Sequence, residues 1–222
     1  MEELTLLGER AVQAKYELQR MTTEKKNEVL EAVAEALIQN TEYLLLENHK
    51  DLERGIANQM NPGLVDRLRL TKERIAGMAE GIRQIVKLPD PVGEILDDYE
   101  AENGLHIVKK RVPMGVIGII YESRPNVTAD AFALCFKTGN VVILKGGSDA
   151  IHSNEAIVNC IRETLNEQGV TEDAIQLISD TSRETAAEFM KMNQYVDVLI
   201  PRGGRGLIKA VVEQSTIPVI ET

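Results

Sequence analysis

The sequence has few of the residues that form disulfides and metal sites. Its 222 residues include only two cysteines, Cys135 and Cys160, and three histidines. Both cysteines fall on apolar helical stripes, so we expect no disulfide framework, and two thiols are too few for a metal cluster. His49, His106 and His152 lie in different segments, without the spacing of a zinc-binding helix. The sequence therefore predicts no metal centre.

The chain also lacks a long apolar run and an excess of basic charge. No hydrophobic stretch approaches the length that spans a bilayer. The first fifteen residues mix acids and bases, whereas a secretory signal has a basic start and a continuous apolar stretch. We therefore expect a cytoplasmic protein without membrane contact. The formal net charge of -10 argues against a broad nucleic-acid surface, although a few local basic groups can still hold a small anion.

Helical periodicity dominates residues 1–93. In residues 28–40 the apolar side chains recur every three or four positions, which predicts a helix with one buried face. A threonine followed closely by a glutamate precedes each of the next helical segments, so we expect Thr41 and Thr71 to cap helices, as Thr22 or Thr23 does for the first. We interpret this region as helical scaffold.

Residues 94–111 have a different character. Prolines interrupt the helical pattern before this segment, and Asn103-Gly104 lies between two extended-looking runs. Asn-Gly supplies the positive backbone angles of a tight turn, so we predict a β-hairpin. An isolated two-stranded hairpin is marginal in water, which suggests that this one packs on something else, such as another subunit.

Residues 112–222 alternate short apolar runs with helical stretches. The β-branched, nearly continuous runs are typical of strands that are covered on both faces. This pattern predicts an α/β fold with a doubly wound, mostly parallel Rossmann-like sheet, whose ligands bind beyond the carboxyl ends of the strands. The predicted strands are residues 115–121, 141–145, 175–179, 196–200 and 217–220.

The first strand is followed by YESRPNVTAD, where Pro125 disfavours helix at the preceding residue and Asn126 starts a new helical stretch. Two interpretations of Asn126 stay open. Its side chain either caps the helix by bonding a backbone amide, or donates into the cleft and stabilises an oxyanion. The helix that follows is expected to bury Val127, Ala131, Leu134 and Cys135 and to end at Gly139. Burial makes both cysteines inert core residues rather than nucleophiles.

The second strand ends at Lys145 and is followed by Gly146, Gly147 and Ser148. The glycines allow a ligand to approach the backbone, and Ser148 is expected to cap the next helix. A helix start beside an ammonium group suits an anion or a sugar hydroxyl. A simple structural turn is the alternative, because the motif is neither GxGxxG nor a P-loop.

The fourth strand is followed by PRGGRG at the start of another helix. Arg202 and Arg205 can contact a pyrophosphate, and the backbone amides of Gly203, Gly204 and Gly206 can hold it. A structural turn with solvated arginines is again the alternative. Two anion-suited turns on one sheet edge nevertheless favour a nucleotide-binding sheet.

Several of these stretches together resemble the gamma-glutamyl phosphate reductase family within the aldehyde dehydrogenase superfamily. They are RVPMGVIGIIYESRPNVTADAFALCFKTGNVVILKGG, DVLIPRGGRGLI, QSTIPVIET and NPGLVDRLRLTKERIAGMAEGIRQIVKLPDPVG. The resemblance extends over the whole chain. It implies NADPH-dependent reduction of gamma-glutamyl phosphate to glutamate 5-semialdehyde, with phosphate release through a cysteine thioester, in proline biosynthesis.

The resemblance also implies roles for individual residues. Asn126 corresponds to the oxyanion-hole asparagine, and Lys145 to the lysine that bonds the adenosine ribose of the cofactor. Gly203, Gly204 and Gly206 correspond to the turn that meets the dinucleotide phosphates. Arg124 is our hypothesis for a contact to the substrate's carboxylate or phosphate, because it lies beside Asn126.

The family's reactive cysteine belongs to a PSVCNA-like segment that is not found in these 222 residues. We therefore expect this chain to be the cofactor-binding portion, without the catalytic domain and without turnover of its own. The resemblance implies that residues 94–111 form an oligomerisation arm of a homodimer or homotetramer, and that glutamate kinase is a further partner. The alternatives are a non-catalytic nucleotide-binding or assembly module, and another acyl or aldehyde dehydrogenase of the superfamily.

Overall fold

The computed structural model describes residues 2–221. Its amino-terminal part consists of consecutive helices, as the periodicity predicts. The long helices bury the apolar stripe that the sequence shows; in α2, for example, Val29, Leu30 and Val33 are fully buried. The helices are α1 (Glu2–Leu18), α2 (Thr23–Gln39), α3 (Thr41–Ala57), α4 (Pro62–Leu68) and α5 (Lys72–Lys87).

Two of the three predicted threonine caps are present. The side chain of Thr22 accepts a hydrogen bond from the amide of Lys25, and that of Thr71 accepts one from Arg74. The prediction for Thr41 is wrong. Thr41 lies inside α3, and its hydroxyl donates to the carbonyl of Ile38 at 2.7 Å, so it joins α3 to the end of α2.

The predicted hairpin forms from β1 (Ile95–Glu100) and β2 (His106–Lys110), which pair antiparallel. In the loop between the two strands, only Gly104 takes a positive φ, of 83°, and its amide donates to the carbonyl of Ala101 at 2.8 Å. The expected two-residue turn is therefore replaced by a longer loop with a single left-handed glycine. Every residue of both strands is exposed.

The predicted α/β fold is confirmed. Four parallel strands form a sheet in the order β5-β4-β3-β6. They are β3 (Val116–Tyr121), β4 (Val141–Lys145), β5 (Ile175–Leu177) and β6 (Val198–Arg202). β6 begins and ends two residues later than predicted, so Arg202 belongs to the strand. The expected strand at 217–220 is reduced to a single parallel bridge between Leu199 and Val219.

Helices α6 (Asn126–Lys137), α7 (Ile151–Glu167), α8 (Arg183–Phe189) and α9 (Arg205–Gln214) connect or follow these strands. In α6, Val127, Ala131 and Cys135 are buried as predicted, but Leu134 is 46% exposed. Gly139 follows the end of α6 with a φ of 71°.

The core is continuous from the amino-terminal helices to the sheet. One cluster of buried side chains runs from Leu4 of α1 through Val33 and Ile82 to Phe132 and Ile143. Helices α2 and α5 pack on each other, and both contact α6. The amino-terminal helices therefore pack on the sheet and on the helices α6 and α7 that cover it.

Candidate functional site

The strand order changes direction at β3, which lies between β4 on one side and β6 on the other. In open parallel sheets the ligand crevice lies at this switch point, beyond the carboxyl ends of the strands. A cavity of about 620 Å³ lies there. Its lining includes the residues that follow β3 and β6 together with part of α4: Leu64, Arg67, Glu122, Ser123, Arg124, Val127, Asp149, Arg202, Gly203 and Gly204.

In the glycine-rich turn after β6, close packing requires glycine at the first position, Gly203. A Cβ built on Gly203 would lie 2.7 Å from Cδ of Glu122 and 2.8 Å from Cδ2 of Leu207. Gly204 immediately precedes α9, and Arg202 is exposed at the end of β6. This is the arrangement of backbone amides and guanidinium that suits a phosphate.

A carboxylate of the protein itself occupies part of this turn. Oε2 of Glu122 accepts a hydrogen bond of 3.0 Å from the amide of Gly204. An anion at the start of α9 is favoured by the helix dipole, and here Glu122 supplies it. A phosphate group at the same place must therefore displace Glu122 or use the neighbouring amides.

The second turn, after β4, contains a buried ammonium group. Lys145 is only 3% exposed, and its Nζ donates to the carbonyl of Gly146 at 3.4 Å. Burial lowers the pKa of Lys145, and the negative charge of Asp180 partly offsets this effect. One long hydrogen bond leaves donor capacity on the ammonium for a ligand hydroxyl.

Ser148 does not cap the helix as predicted. It begins a single 3-10 turn, Ser148–Ala150, and the start of α7 is satisfied by Asp51 of α3 instead. The fully buried carboxylate of Asp51 accepts hydrogen bonds from the amides of His152 at 3.3 Å and Ser153 at 2.8 Å. The amide end of α7 is therefore occupied by an internal acid. Arg54 bonds both Asp51 and the carbonyl of Ser148, which fixes the turn.

A buried chain of polar side chains connects the end of β3 to α6 and α7. The hydroxyl of Tyr121 lies 2.7 Å from that of Thr128, which in turn donates to Oδ1 of Asn154 at 3.0 Å. Nδ2 of Asn154 has no hydrogen-bond partner among residues 2–221. A Cβ on Gly146 would lie 2.5 Å from this atom, so only glycine fits at that position.

Asn126 is the first residue of α6 and is exposed. Its side chain makes no cap bond; Nδ2 donates weakly to Asp130 at 3.4 Å. Burial raises the pKa of Asp130, and Arg202 and Asn126 partly offset this. Asn126 borders a second cavity of about 380 Å³, which shares Arg67 and Arg124 with the first.

Both thiols are buried in helices, as predicted. Cys135 is 5% exposed and Cys160 is 3% exposed. Burial raises the pKa of each thiol to about 12. A thiolate nucleophile is therefore not available from either residue at neutral pH.

The structure brings together only some of the predicted site residues. Arg124, Arg202, Gly203 and Gly204 line the first cavity, and Arg124 and Asn126 line the second. The group Lys145, Gly146, Gly147 and Ser148 lies in the neighbouring turn, and Gly206 lies in α9 with open space around it.

Sequence reasoning did not find the contributions of Arg67, Ser123 and Asp149. Ser123 donates to Asp149 at 2.7 Å and so joins the turns after β3 and β4. The three positions carry ordinary polar residues in turns or a short helix, and no local motif distinguishes them. Their role depends on elements that are distant in the sequence.

The described part of the chain offers neither a metal-binding cluster nor a membrane-spanning helix. No group of three or more His, Cys, Asp or Glu side chains within residues 2–221 is placed to hold a metal ion. None of the helices in that range combines the length and the apolar character needed to cross a bilayer.

Comparison with known proteins gives consistent matches over the full chain. The model of the aldehyde dehydrogenase family matches residues 2–220. Curated relatives named gamma-glutamyl phosphate reductase, from Anoxybacillus flavithermus and Clostridium botulinum, are 51% and 54% identical over 222 residues. These matches cover 100% of this chain and 54% of each relative. The chain thus spans about half the length of the curated relatives it matches.

Solved structures agree. The crystal structure of gamma-glutamyl phosphate reductase from Thermotoga maritima matches with a TM-score of 0.97 and 41% identity, covering 99% of this chain and 53% of that one. A probable aldehyde dehydrogenase from Listeria monocytogenes is only 18% identical but has a TM-score of 0.78. This match covers 100% of this chain and 46% of the Listeria chain. The second match concerns the fold alone.

Proposed function

The chain belongs to the aldehyde dehydrogenase family, and from that premise we propose that it forms the NADPH-binding half of an acyl phosphate reductase. The whole protein reduces gamma-glutamyl phosphate to glutamate 5-semialdehyde and releases phosphate, a step of proline biosynthesis. The names of the relatives over the full chain support this reaction. The observation that carries the proposal is the glycine-rich start of α9, which opens onto the cavity at the switch point of the sheet.

The residues present fit a dinucleotide. Arg202 and the amides at the start of α9 would hold the phosphates, and the buried ammonium of Lys145 would donate to a ribose hydroxyl. A Cβ at Gly206 would meet no atom within 4 Å, and one at Gly147 would meet backbone atoms only at 3.9 Å. When bound, NADPH supplies the hydride.

The residues of this chain that contact the substrate line the second cavity. Nδ2 of Asn126 donates to the substrate's carbonyl oxygen as negative charge develops on it, and its long 3.4 Å bond to Asp130 is readily exchanged for that contact. Arg124 binds an anionic group of the substrate. The attacking thiol is supplied by a segment outside this chain, because Cys135 and Cys160 are buried.

A calorimetric titration with NADPH, and in parallel with NADH, tests the proposal. We expect NADPH to bind more tightly, a preference that rests on the family resemblance. Lys145→Met should weaken NADPH binding by about tenfold or more, because it removes a hydrogen bond from a charged donor. Lys191→Met removes an exposed lysine elsewhere and serves as the matched control. A folded sample that binds neither cofactor at millimolar concentration contradicts the proposal.

A separate test addresses Asn126. In an enzyme form that contains the reactive cysteine, Asn126→Ala should lower turnover by roughly a hundredfold or more, as expected for an oxyanion donor. NADPH binding should change little, because Asn126 borders the second cavity rather than the glycine-rich turn. Equal turnover of the variant and the unmodified enzyme would show that Asn126 is not the donor.

One observation favours a non-catalytic module as the second candidate function. Two helix starts on this edge, those of α9 and α7, are already bonded by Glu122 and Asp51. A module that had lost its cofactor would satisfy these amides internally in the same way. In that case, the cofactor titration shows no binding, and Lys145→Met changes only stability.

A further inference from the structure

Two arginines form a shared wall between the two cavities of the site. Arg124 follows β3 and Arg67 belongs to α4, and both side chains line the 620 Å³ cavity as well as the 380 Å³ cavity. They are the only residues common to the two linings. A ligand that reaches from one cavity into the other must therefore pass both guanidinium groups.

Neither of these guanidinium groups has a hydrogen-bond or ion-pair partner within residues 2–221. Some other arginines of the chain are paired, among them Arg74 with Asp66, Arg83 with Glu31, and Arg162 with Glu172. The chain has 35 acidic residues against 25 basic ones, so carboxylates are abundant. The guanidinium groups of Arg67 and Arg124, on the shared wall, are therefore available to bind an external anion.

The main chain around Arg67 is held from two sides. The buried side chain of Asn48 donates to the carbonyl of Leu68 at 2.8 Å and accepts from the amide of Leu70 at 2.8 Å. The guanidinium of Arg74 donates to the carbonyls of Asp66 and Arg69 on the other side. The backbone at Arg67, in the last turn of α4, is therefore fixed. Less conformational entropy is then lost when Arg67 binds a ligand.

The side chains that line the second cavity carry a net positive charge, as Arg67 and Arg124 do. Its lining includes four guanidinium groups and two carboxyl groups. Asp66 is engaged by Arg74, and the pKa of Asp130 is raised chiefly by burial. The cavity that Asn126 borders is thus locally basic in a protein with a net charge of -10.

We propose that Arg67 acts together with Arg124 as an oxyanion-binding pair, which makes Arg67 of α4 a specificity-determining residue for a substrate that bears a phosphate or carboxylate group. The two guanidinium groups bind the oxyanion where the cavities meet, next to Asn126. This inference rests on the proposed function for the identity of the substrate. The geometry of the pair and its lack of internal partners do not depend on the cofactor.

Titration of the chain with inorganic phosphate and, separately, with glutarate tests the pair and distinguishes the two oxyanions. Each titration is made with and without saturating NADPH, so that binding at the glycine-rich turn is separated from binding at the pair. Arg67→Met should weaken binding of at least one anion by about tenfold or more, since a charge-assisted bond is lost, and Arg67→Lys should weaken it less. Arg20→Met removes an exposed arginine in the turn after α1 and should leave both anions unaffected.

Anion binding that is the same in Arg67→Met and in the unmodified chain overturns the inference, as does a chain that binds neither anion. A loss of NADPH affinity in Arg67→Met without a loss of anion affinity also overturns it, because Arg67 would then serve the cofactor. Failure of the unmodified chain to bind NADPH counts against the proposed function alone. The circular dichroism spectrum and the denaturation midpoint of each variant show whether it is folded.

Discussion

At the scale of single residues, the carboxylate of Glu122 occupies a position that would otherwise suit an anionic group of a ligand. Its carboxylate bonds the amide of Gly204, where a phosphate group would be favoured. The charge of Glu122 therefore opposes a second anion at this turn. Glu122 lies directly after β3, a few residues before Arg124 and Asn126. The same short segment therefore contains groups that attract an anionic ligand and one that repels it.

Glu122→Gln should strengthen NADPH binding. Removal of one competing negative charge at a helix start is worth about 0.3–1 kcal/mol, or roughly two- to fivefold in Kd. Calorimetric titration measures the change, with Glu3→Gln on the exposed face of α1 as the charge-matched control. Weaker binding in Glu122→Gln would indicate that the carboxylate contacts the cofactor rather than repels it.

Gly146 leaves too little space for a side chain. Gly146→Ala places a Cβ 2.5 Å from Nδ2 of the buried Asn154 and should lower the free energy of unfolding by about 1–3 kcal/mol. Gly77→Ala is the matched control: it lies in α5 with no atom within 4 Å of the new Cβ and should raise stability by about 0.5–1 kcal/mol. Urea denaturation measures both, and equal midpoints would contradict the packing argument.

At the scale of secondary-structure elements, a buried ion pair joins α2 to the segment that leads into the hairpin. Nζ of Lys26 lies 2.8 Å from Oδ2 of Asp90, and both side chains are nearly inaccessible. Burial alone would raise the pKa of Asp90, but hydrogen bonds from Lys26, the amide of Val92 and Thr23 together hold it below its ordinary value. The pair therefore stabilises the fold when Asp90 is ionised.

Asp90→Asn leaves Lys26 buried without its counter-charge and should destabilise the protein by about 3–5 kcal/mol at neutral pH. Because the folded pKa of Asp90 is below the unfolded value of 3.8, its contribution is fully present above pH 3.8 and is lost as the pH falls through the folded pKa. The difference between variant and unmodified chain should therefore shrink in acid. Glu42→Gln breaks an exposed pair with Lys72 and should have no measurable effect.

The hairpin presents apolar side chains to solvent. Tyr99 and Ile107 are cross-strand neighbours, and they are 48% and 39% exposed. A two-stranded hairpin without a packed face is unstable alone, so we propose that it packs on a second copy of the chain. Ile107→Asp should therefore shift the sedimentation coefficient towards that of a monomer. Leu46→Asp, at another exposed apolar position on α3, should not; a monomeric unmodified chain would refute the proposal.

At the scale of the whole molecule, the described residues form a cleft at the switch point of the sheet but provide no accessible thiol. A thiol reagent should label neither Cys135 nor Cys160 in the folded chain, because burial raises both pKa values to about 12, and should label both after unfolding in guanidinium chloride. The chain alone should correspondingly show no reductase activity with gamma-glutamyl phosphate. Rapid labelling of one cysteine under native conditions would reopen the question of a nucleophile in this half.

The sequence alone determined the elements whose causes are local. Helical periodicity, the caps at Thr22 and Thr71 and the β-branched runs predicted the α/β fold and most of its strands, because these signals act over a few residues. The same local patterns also identified the turns after β3, β4 and β6 as the edge where a site would lie. They failed at Thr41, where the end of the preceding helix competes for the hydroxyl.

Only the tertiary structure decided what each of those turns can bind. Asp51 bonds the start of α7 from 102 residues away, and Glu122 bonds Gly204 from 82 residues away, so the two predicted anion sites receive internal carboxylates. Arg67 and Arg124 likewise meet at one wall only because α4, held by α3, borders the cavity at the carboxyl edge of the sheet. No pattern of neighbouring residues encodes such pairings, since they depend on how distant elements pack.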